Sequence, residues 1–221
     1  MWSDSPKLAV REMYMIPVTL IQSILLTVAP VPSEPPAPYL AMREGTTLTY
    51  EFSSGGGRTL VVSSVARKKD GTYVVQEEIR DKEKVPFVTW CVREEGLYLV
   101  DSRVGKYTVE LCELKLPIKV GVQWTSKSTL KARDSGFELD ASKAFKVVSF
   151  EKIKTPAGEF ETLYLESEGR AAGGSGPGKS WYAKGIGVVK TETSTFITNA
   201  KKPIVQTMTL KSISIPKNSD R

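Results

Sequence analysis

Histidine is missing from all 221 residues of this chain. Its absence removes Ser-His-Asp and Cys-His catalysis in their usual forms, and every zinc or iron site built on imidazole. Carboxylate-only chemistry, such as glycoside hydrolysis by two acids, is formally left. The acids, however, sit at expected hairpin ends or in adjacent pairs such as Glu77-Glu78 and Glu94-Glu95. Neighbours on a strand face opposite sides, so an adjacent pair does not converge on one substrate. These acids read as solvated turn and edge residues, and no catalytic residue, metal ligand or cofactor is expected.

Cysteine is scarce as well, with only Cys91 and Cys112. The segments between them read as a meander: a strand through Cys91, a turn at Glu94-Glu95-Gly96, a strand Leu97–Val100, another turn, and a strand to Cys112. That arrangement puts the two thiols on strands flanking a third, about 9–10 Å apart, whereas a disulfide needs Cα atoms within about 7 Å. An oxidising compartment would favour the bond and the meander disfavours it, so a Cys91–Cys112 disulfide is left open.

Long apolar runs are limited to one. Met13–Ala29 spans about 17 residues behind Lys7 and Arg11, the length of a signal h-region and marginal for a membrane span. Small residues at Thr27-Val28-Ala29 suit cleavage, but Pro30 directly after them opposes it. Residues 1–29 are therefore expected to be a signal peptide or an uncleaved anchor, and the protein to be exported to the periplasm or cell envelope. No cysteine follows the run, which speaks against lipid modification. Residues 30–38 carry five prolines in nine positions. Proline fixes φ and removes amide donors, so this stretch reads as an extended linker. Residues 39–216 make one domain's worth of chain, with 217–221 a disordered tail. The net charge of +6 is scattered over strands and turns without clustered arginines and interleaved aromatics, so no nucleic-acid partner is expected. Membrane association is expected only through the N-terminal segment.

Helical periodicity is almost absent from the rest. Short alternating runs are separated by turn chemistry about every ten residues. Lys69-Asp70-Gly71-Thr72, for example, carries an Asp-Gly pair suited to the positive φ of a tight hairpin. About twelve such runs predict an all-β fold, a strongly curved antiparallel sheet closing as a half-barrel or clam-like barrel. Gly45-Thr-Thr-Leu-Thr49 and Gly121-Val-Gln-Trp-Thr125 form a faint internal echo that duplication or convergent hairpin chemistry explains equally well.

One motif matches by letter alone. Gly173 to Ser180 satisfies the phosphate-loop pattern G-x-x-x-x-G-K-S, which works when a helix follows and aims its amides at the phosphates. Here Trp181 to Val189 contains two glycines and two valines, a poor helix and a good strand. A Gly-rich hairpin tip explains the composition, and no nucleotide site is expected. The aromatics carry more. Trp90, Trp124, Trp181 and Tyr182, with Phe137, Phe145, Phe160 and Phe196, lie on separate expected strands. In a closed sandwich they are core. In a half-open sheet some line an apolar groove, and Trp90, Trp124, Trp181 and Tyr182 are the candidate ligand-binding set.

Three segments, Leu116-Pro-Ile-Lys-Val-Gly-Val-Gln-Trp124, Thr155-Pro-Ala-Gly-Glu-Phe160 and Trp181-Tyr-Ala-Lys-Gly-Ile-Gly-Val-Val-Lys190, together resemble a pattern in exported bacterial β-domains. These are the TapB-like and related families of domains of unknown function. The resemblance covers roughly residues 40–215, with its specific motifs in the second half. It implies a curved antiparallel sheet and no established activity, and carries no ligand or catalytic residue with it. Two functions follow as expectations. One is a non-catalytic envelope protein holding a lipid or other amphipathic ligand in the hollow of its sheet. The other is a module with a filled core that contacts an envelope protein or the cell wall.

Overall fold

A computed structural model describes residues 39–80, 86–171, 174–197 and 202–217. The expected signal or anchor segment, the whole of the Pro-rich linker and the tail beyond Lys217 lie outside the described residues. Twelve strands follow one another: β1 (Thr47–Phe52), β2 (Gly57–Arg67), β3 (Tyr73–Ile79), β4 (Pro86–Arg93), β5 (Gly96–Ser102), β6 (Gly105–Lys115), β7 (Gln123–Ala132), β8 (Glu138–Thr155), β9 (Gly158–Ala171), β10 (Gly174–Ala183), β11 (Gly187–Ile197) and β12 (Ile204–Ser214). Each pairs antiparallel with its sequence neighbour, and β1 pairs with β12, so the sheet closes into a barrel.

Turn chemistry sets this meander. Asp70 accepts a hydrogen bond from the Thr72 amide at 3.0 Å while Gly71 takes a φ of 85°, which a residue with a Cβ rarely adopts. β8 runs unbroken for 18 residues. The Gly-rich stretch after Gly173 is not a hairpin tip. Gly174–Ser180 is the first part of β10, paired with Ala171–Leu165 of β9. Its glycines serve close strand approach: a Cβ on Gly176 would collide with the Ser194 carbonyl oxygen of β11. A strand in place of a helix leaves no amide dipole for a phosphate. The echoing segments at Gly45 and Gly121 lead into β1 and β7, six strands apart.

Bulges interrupt most ladders, among them those at Thr49/Tyr50, Glu77/Glu78, Thr89/Trp90 and Val147/Ser149. Each adds local twist, which lets a twelve-stranded sheet curl tightly enough to pack its own inner face. Leu48, Val62, Val75, Val92, Val147, Leu163, Leu165 and Leu210 are fully buried there. Burial of each such side chain stabilises the fold by about 1.5–3 kcal/mol. Tyr39, Leu40 and Ala41, just ahead of β1, are buried in the same cluster and plug one end of it. A smaller cluster of Tyr107, Leu111, Leu130 and Ala141 lies beside it.

The seam between β6 and β7 is built differently. Their ladder covers only Gly105–Tyr107 against Leu130–Ala132. Beyond it, hydroxyl groups replace carbonyls as acceptors. Ser128 Oγ accepts from the Val109 amide at 3.1 Å, Ser126 Oγ from the Cys112 amide at 2.8 Å, and Thr108 Oγ1 from the Thr129 amide at 3.3 Å. Lys143 of β8 reaches across β7 to Glu113 of β6 at 2.8 Å. Backbone donors left without a ladder need partners, and Ser and Thr supply them where the strands have separated too far for direct bonds.

Candidate functional site

The alternation of side chains sorts the aromatic residues onto two faces. Tyr182 stands opposite Leu163 and Val188, Tyr50 opposite Arg58 and Leu210, and Trp90 opposite Val75 and Leu99. All of these point into the barrel. Between them lies a cavity of about 190 Å³ bounded by Leu48, Tyr50, Leu60, Glu77, Trp90, Leu97, Tyr182, Val188 and Met208. Tyr39, Leu40 and Ile186 close it at the plugged end, and Arg58, Phe87 and Val88 at the other.

The polar groups in this wall are few and held in place. Trp90 Nε1 donates to Glu77 Oε2 at 2.9 Å, and the Tyr50 hydroxyl donates to the Val188 carbonyl at 2.9 Å. Glu77 is only 6% exposed. Burial pushes its pKa up from the ordinary carboxylate value, opposed in part by the Trp90 indole N–H. Burial also raises the Tyr50 and Tyr182 phenols, with Glu77 adding to the rise at Tyr50 and Glu113 at Tyr182. Desolvation disfavours charge in each case, so the wall offers neutral hydrogen-bonding groups in an otherwise apolar space.

The mouth is different. The Arg58 guanidinium lies 4.7 Å from the Phe52 ring centre and 4.9 Å from that of Phe87, half-buried between cavity and solvent. Burial pushes its pKa down, and Arg103 pushes it the same way. Outside Arg58 an open cleft of about 940 Å³ wraps the β1–β2 hairpin and is lined by Arg80, Arg103 and Lys211 as well as Glu51.

Of the four expected ligand-binding residues, Trp90 and Tyr182 line this cavity and the other two do not. Trp124 stacks on Phe145 at 4.9 Å and donates from Nε1 to the Cys112 carbonyl at 3.0 Å, bracing the β6–β7 seam. Trp181 neighbours Tyr182 on β10 and therefore points out of the barrel. There it stacks on Tyr164 at 4.9 Å, donates to Glu151 Oε1 at 2.6 Å, and lies under Lys190 Nζ at 4.7 Å. A single groove lined by all three tryptophans does not form. Phe137 is 71% exposed at the β7–β8 turn and Phe196 is also exposed, so these two belong neither to the core nor to the cavity.

Sequence reasoning missed Tyr50, Arg58 and Glu77. Glu77 was legible: it shares the parity of Tyr73 and Val75 along β3, which is the apolar face, and the solvated role expected of it fails for that reason. Glu78, on the opposite parity, is half-buried. Both cysteines are free, on β4 and β6 with Tyr98 of β5 opposite each. A whole strand thus stands between them, as the meander implied. Burial raises both thiols, and among the described residues no group of acids and thiols could hold a metal ion.

With this geometry the chain can be set beside known proteins. Residues 122–210, from the start of β7 into β12, match the DUF3108-like family model. Both the Thr155–Phe160 and Trp181–Lys190 motifs fall inside that stretch, so the resemblance to uncharacterised β-domains of unknown function rests on it. Two solved structures share the fold. One, from Bacteroides fragilis, is named as an exported protein with a YmcC-like fold. It is 16% identical, with 80% of this chain and 99% of that one covered at a TM-score of 0.51. The other, from Parabacteroides distasonis and named as a lipoprotein, is 13% identical, with the same shares covered at a TM-score of 0.53. No curated protein matches the sequence significantly.

Proposed function

We propose that this chain is an exported, non-catalytic protein of the cell envelope that holds an apolar or amphipathic ligand inside its barrel. The carrying observation is the cavity of about 190 Å³ walled by Leu48, Leu60, Trp90, Leu97 and Met208. An apolar cavity of about 150 Å³ stays dry and admits benzene, so this one has room for a ring or a short length of alkyl chain. Glu77 is the one carboxylate in its wall, which leaves a two-acid hydrolytic mechanism without its partner. The names of the two structural neighbours and the apolar run at Met13–Ala29 support export. An interaction module using a free sheet edge is disfavoured because β12 pairs with β1.

Native mass spectrometry of the full chain, purified from an exporting host before and after solvent extraction, tests this. The expected result is extra mass that extraction removes, or uptake of an added alkyl compound by the stripped protein. A bare protein that takes up no apolar compound at millimolar concentration would overturn it.

A further inference from the structure

The cavity and the cleft outside it share Arg58 and Tyr50. A ligand whose tail fills the cavity therefore has its head beside the Arg58 guanidinium. That guanidinium belongs to the one arginine in the cavity wall, and like those of Arg43, Arg67, Arg103 and Arg170 it forms no ion pair among the described residues. Arg93 is paired with Glu110 at 2.6 Å and Arg133 with Asp101 at 2.7 Å. Arg80 donates to Thr47 Oγ1 at 3.1 Å. Among the described residues Arg58 has no carboxylate partner and no hydrogen-bond acceptor. It rests instead against the Phe52 and Phe87 rings, which hold a cation by its face and leave the N–H donors at its edge unspent. Arg103 lines the same cleft, its backbone amide donating to the Phe87 carbonyl at 2.9 Å, and its charge opposes that of Arg58. The like charges of the two guanidinium groups sit at one solvent-open cleft, a mild repulsion. An anion between them relieves it, because each guanidinium then gains charge-assisted bonds of planar, two-pronged geometry.

We infer that the ligand is a single-chain anionic amphiphile, its carboxylate or phosphate head held by Arg58 and Arg103 and its alkyl chain in the cavity behind them. This rests on the function proposed above and names its ligand class. At about 30 Å³ for each water-sized group, 190 Å³ holds about six methylenes. An eight-carbon chain then leaves its head at the level of Arg58. The buried wall beyond Arg58 presents only uncharged-favouring groups, Tyr50, Glu77 and Tyr182, so a charged head has no place deeper inside.

Isothermal titration of the full chain with four eight-carbon probes, octanoate, octyl phosphate, octanol and octylammonium, tests this at one ionic strength. At least one of the two anions should bind about tenfold or more tightly than octanol and octylammonium, as charge-assisted hydrogen bonds imply. The anion that wins says whether the head is a carboxylate or a phosphate. Arg58→Gln should abolish the preference for the anions over octanol, and Arg58→Lys should restore part of it. Arg103 is exposed, so Arg103→Gln folds independently of the outcome at Arg58 and should weaken anion binding several-fold. Octanol binding as tightly as both anions would overturn the anionic head while leaving the cavity reading intact. No binding of any of the four would overturn both.

Discussion

Replacing Glu77 with glutamine isolates the one buried acid of the cavity wall. Glutamine keeps the shape and the carbonyl oxygen that accepts the Trp90 indole bond of 2.9 Å, and removes only the titration. Burial raises the folded pKa of Glu77 above its ordinary value of 4.5. Between those two values the folded protein binds a proton that the unfolded chain has released. The stabilisation is therefore complete below the ordinary value and is lost as pH rises towards the folded one. In that window the slope reaches about 1.4 kcal/mol per pH unit, the free energy of one proton difference. Urea unfolding of the ligand-free wild type and Glu77→Gln at half-unit steps upward from pH 4 reads this directly. The difference in unfolding free energy between the two isolates Glu77, since every other titrating group is common to both. The variant should match the wild type at the acid end and gain on it steadily as pH rises. A difference that stays flat with pH, or a wild type that gains on the variant, would refute the reasoning that burial governs this carboxyl.

Three other expectations follow from the geometry. Ser126→Ala removes the acceptor of the Cys112 amide at the β6–β7 seam. It should cost about 1–3 kcal/mol and speed hydrogen exchange at that amide, while exchange in the β8–β9 ladder stays slow. Trp90→Phe and Trp181→Phe should separate inside from outside. Both cost stability through a lost indole bond, but only Trp90→Phe should change alkyl-probe affinity; equal effects of the two on binding would contradict the assignment of faces. Unreduced, denatured protein should take up two equivalents of a thiol alkylating reagent, since Cys91 and Cys112 are free. In the native protein Cys91, 1% exposed, should react last.

What the sequence made legible is local. Asp70-Gly71 announces its hairpin because the turn chemistry sits within four residues, and alternating runs announce strands for the same reason. Closure does not have a local signature. The pairing of Thr47–Phe52 with Met208–Ser214 joins the two ends of the described chain, and a curved open sheet would carry the same residue pattern. Facing is harder still. Trp181 and Tyr182 are adjacent, so at most one can line a cavity, and that much followed from alternation alone. Which one depends on registers and bulges along β9, β10 and β11 that no residue type marks. The glycines from Gly174 to Gly178 misled differently: they resemble a loop, yet they let β9, β10 and β11 approach closely. Arg58 could not have been singled out, because its isolation from acids depends on strands far away in sequence.

An apolar space lies inside the barrel beside Trp90 and Tyr182. Crystals of the protein pressurised with xenon test it most directly, since xenon enters empty apolar cavities and scatters strongly. Xenon density among Leu48, Trp90, Leu97 and Tyr182 is the predicted result, displaced when octanol is soaked in beforehand. No density there in a crystal free of any bound molecule, with Met208 and Leu60 packed across the space, would contradict it.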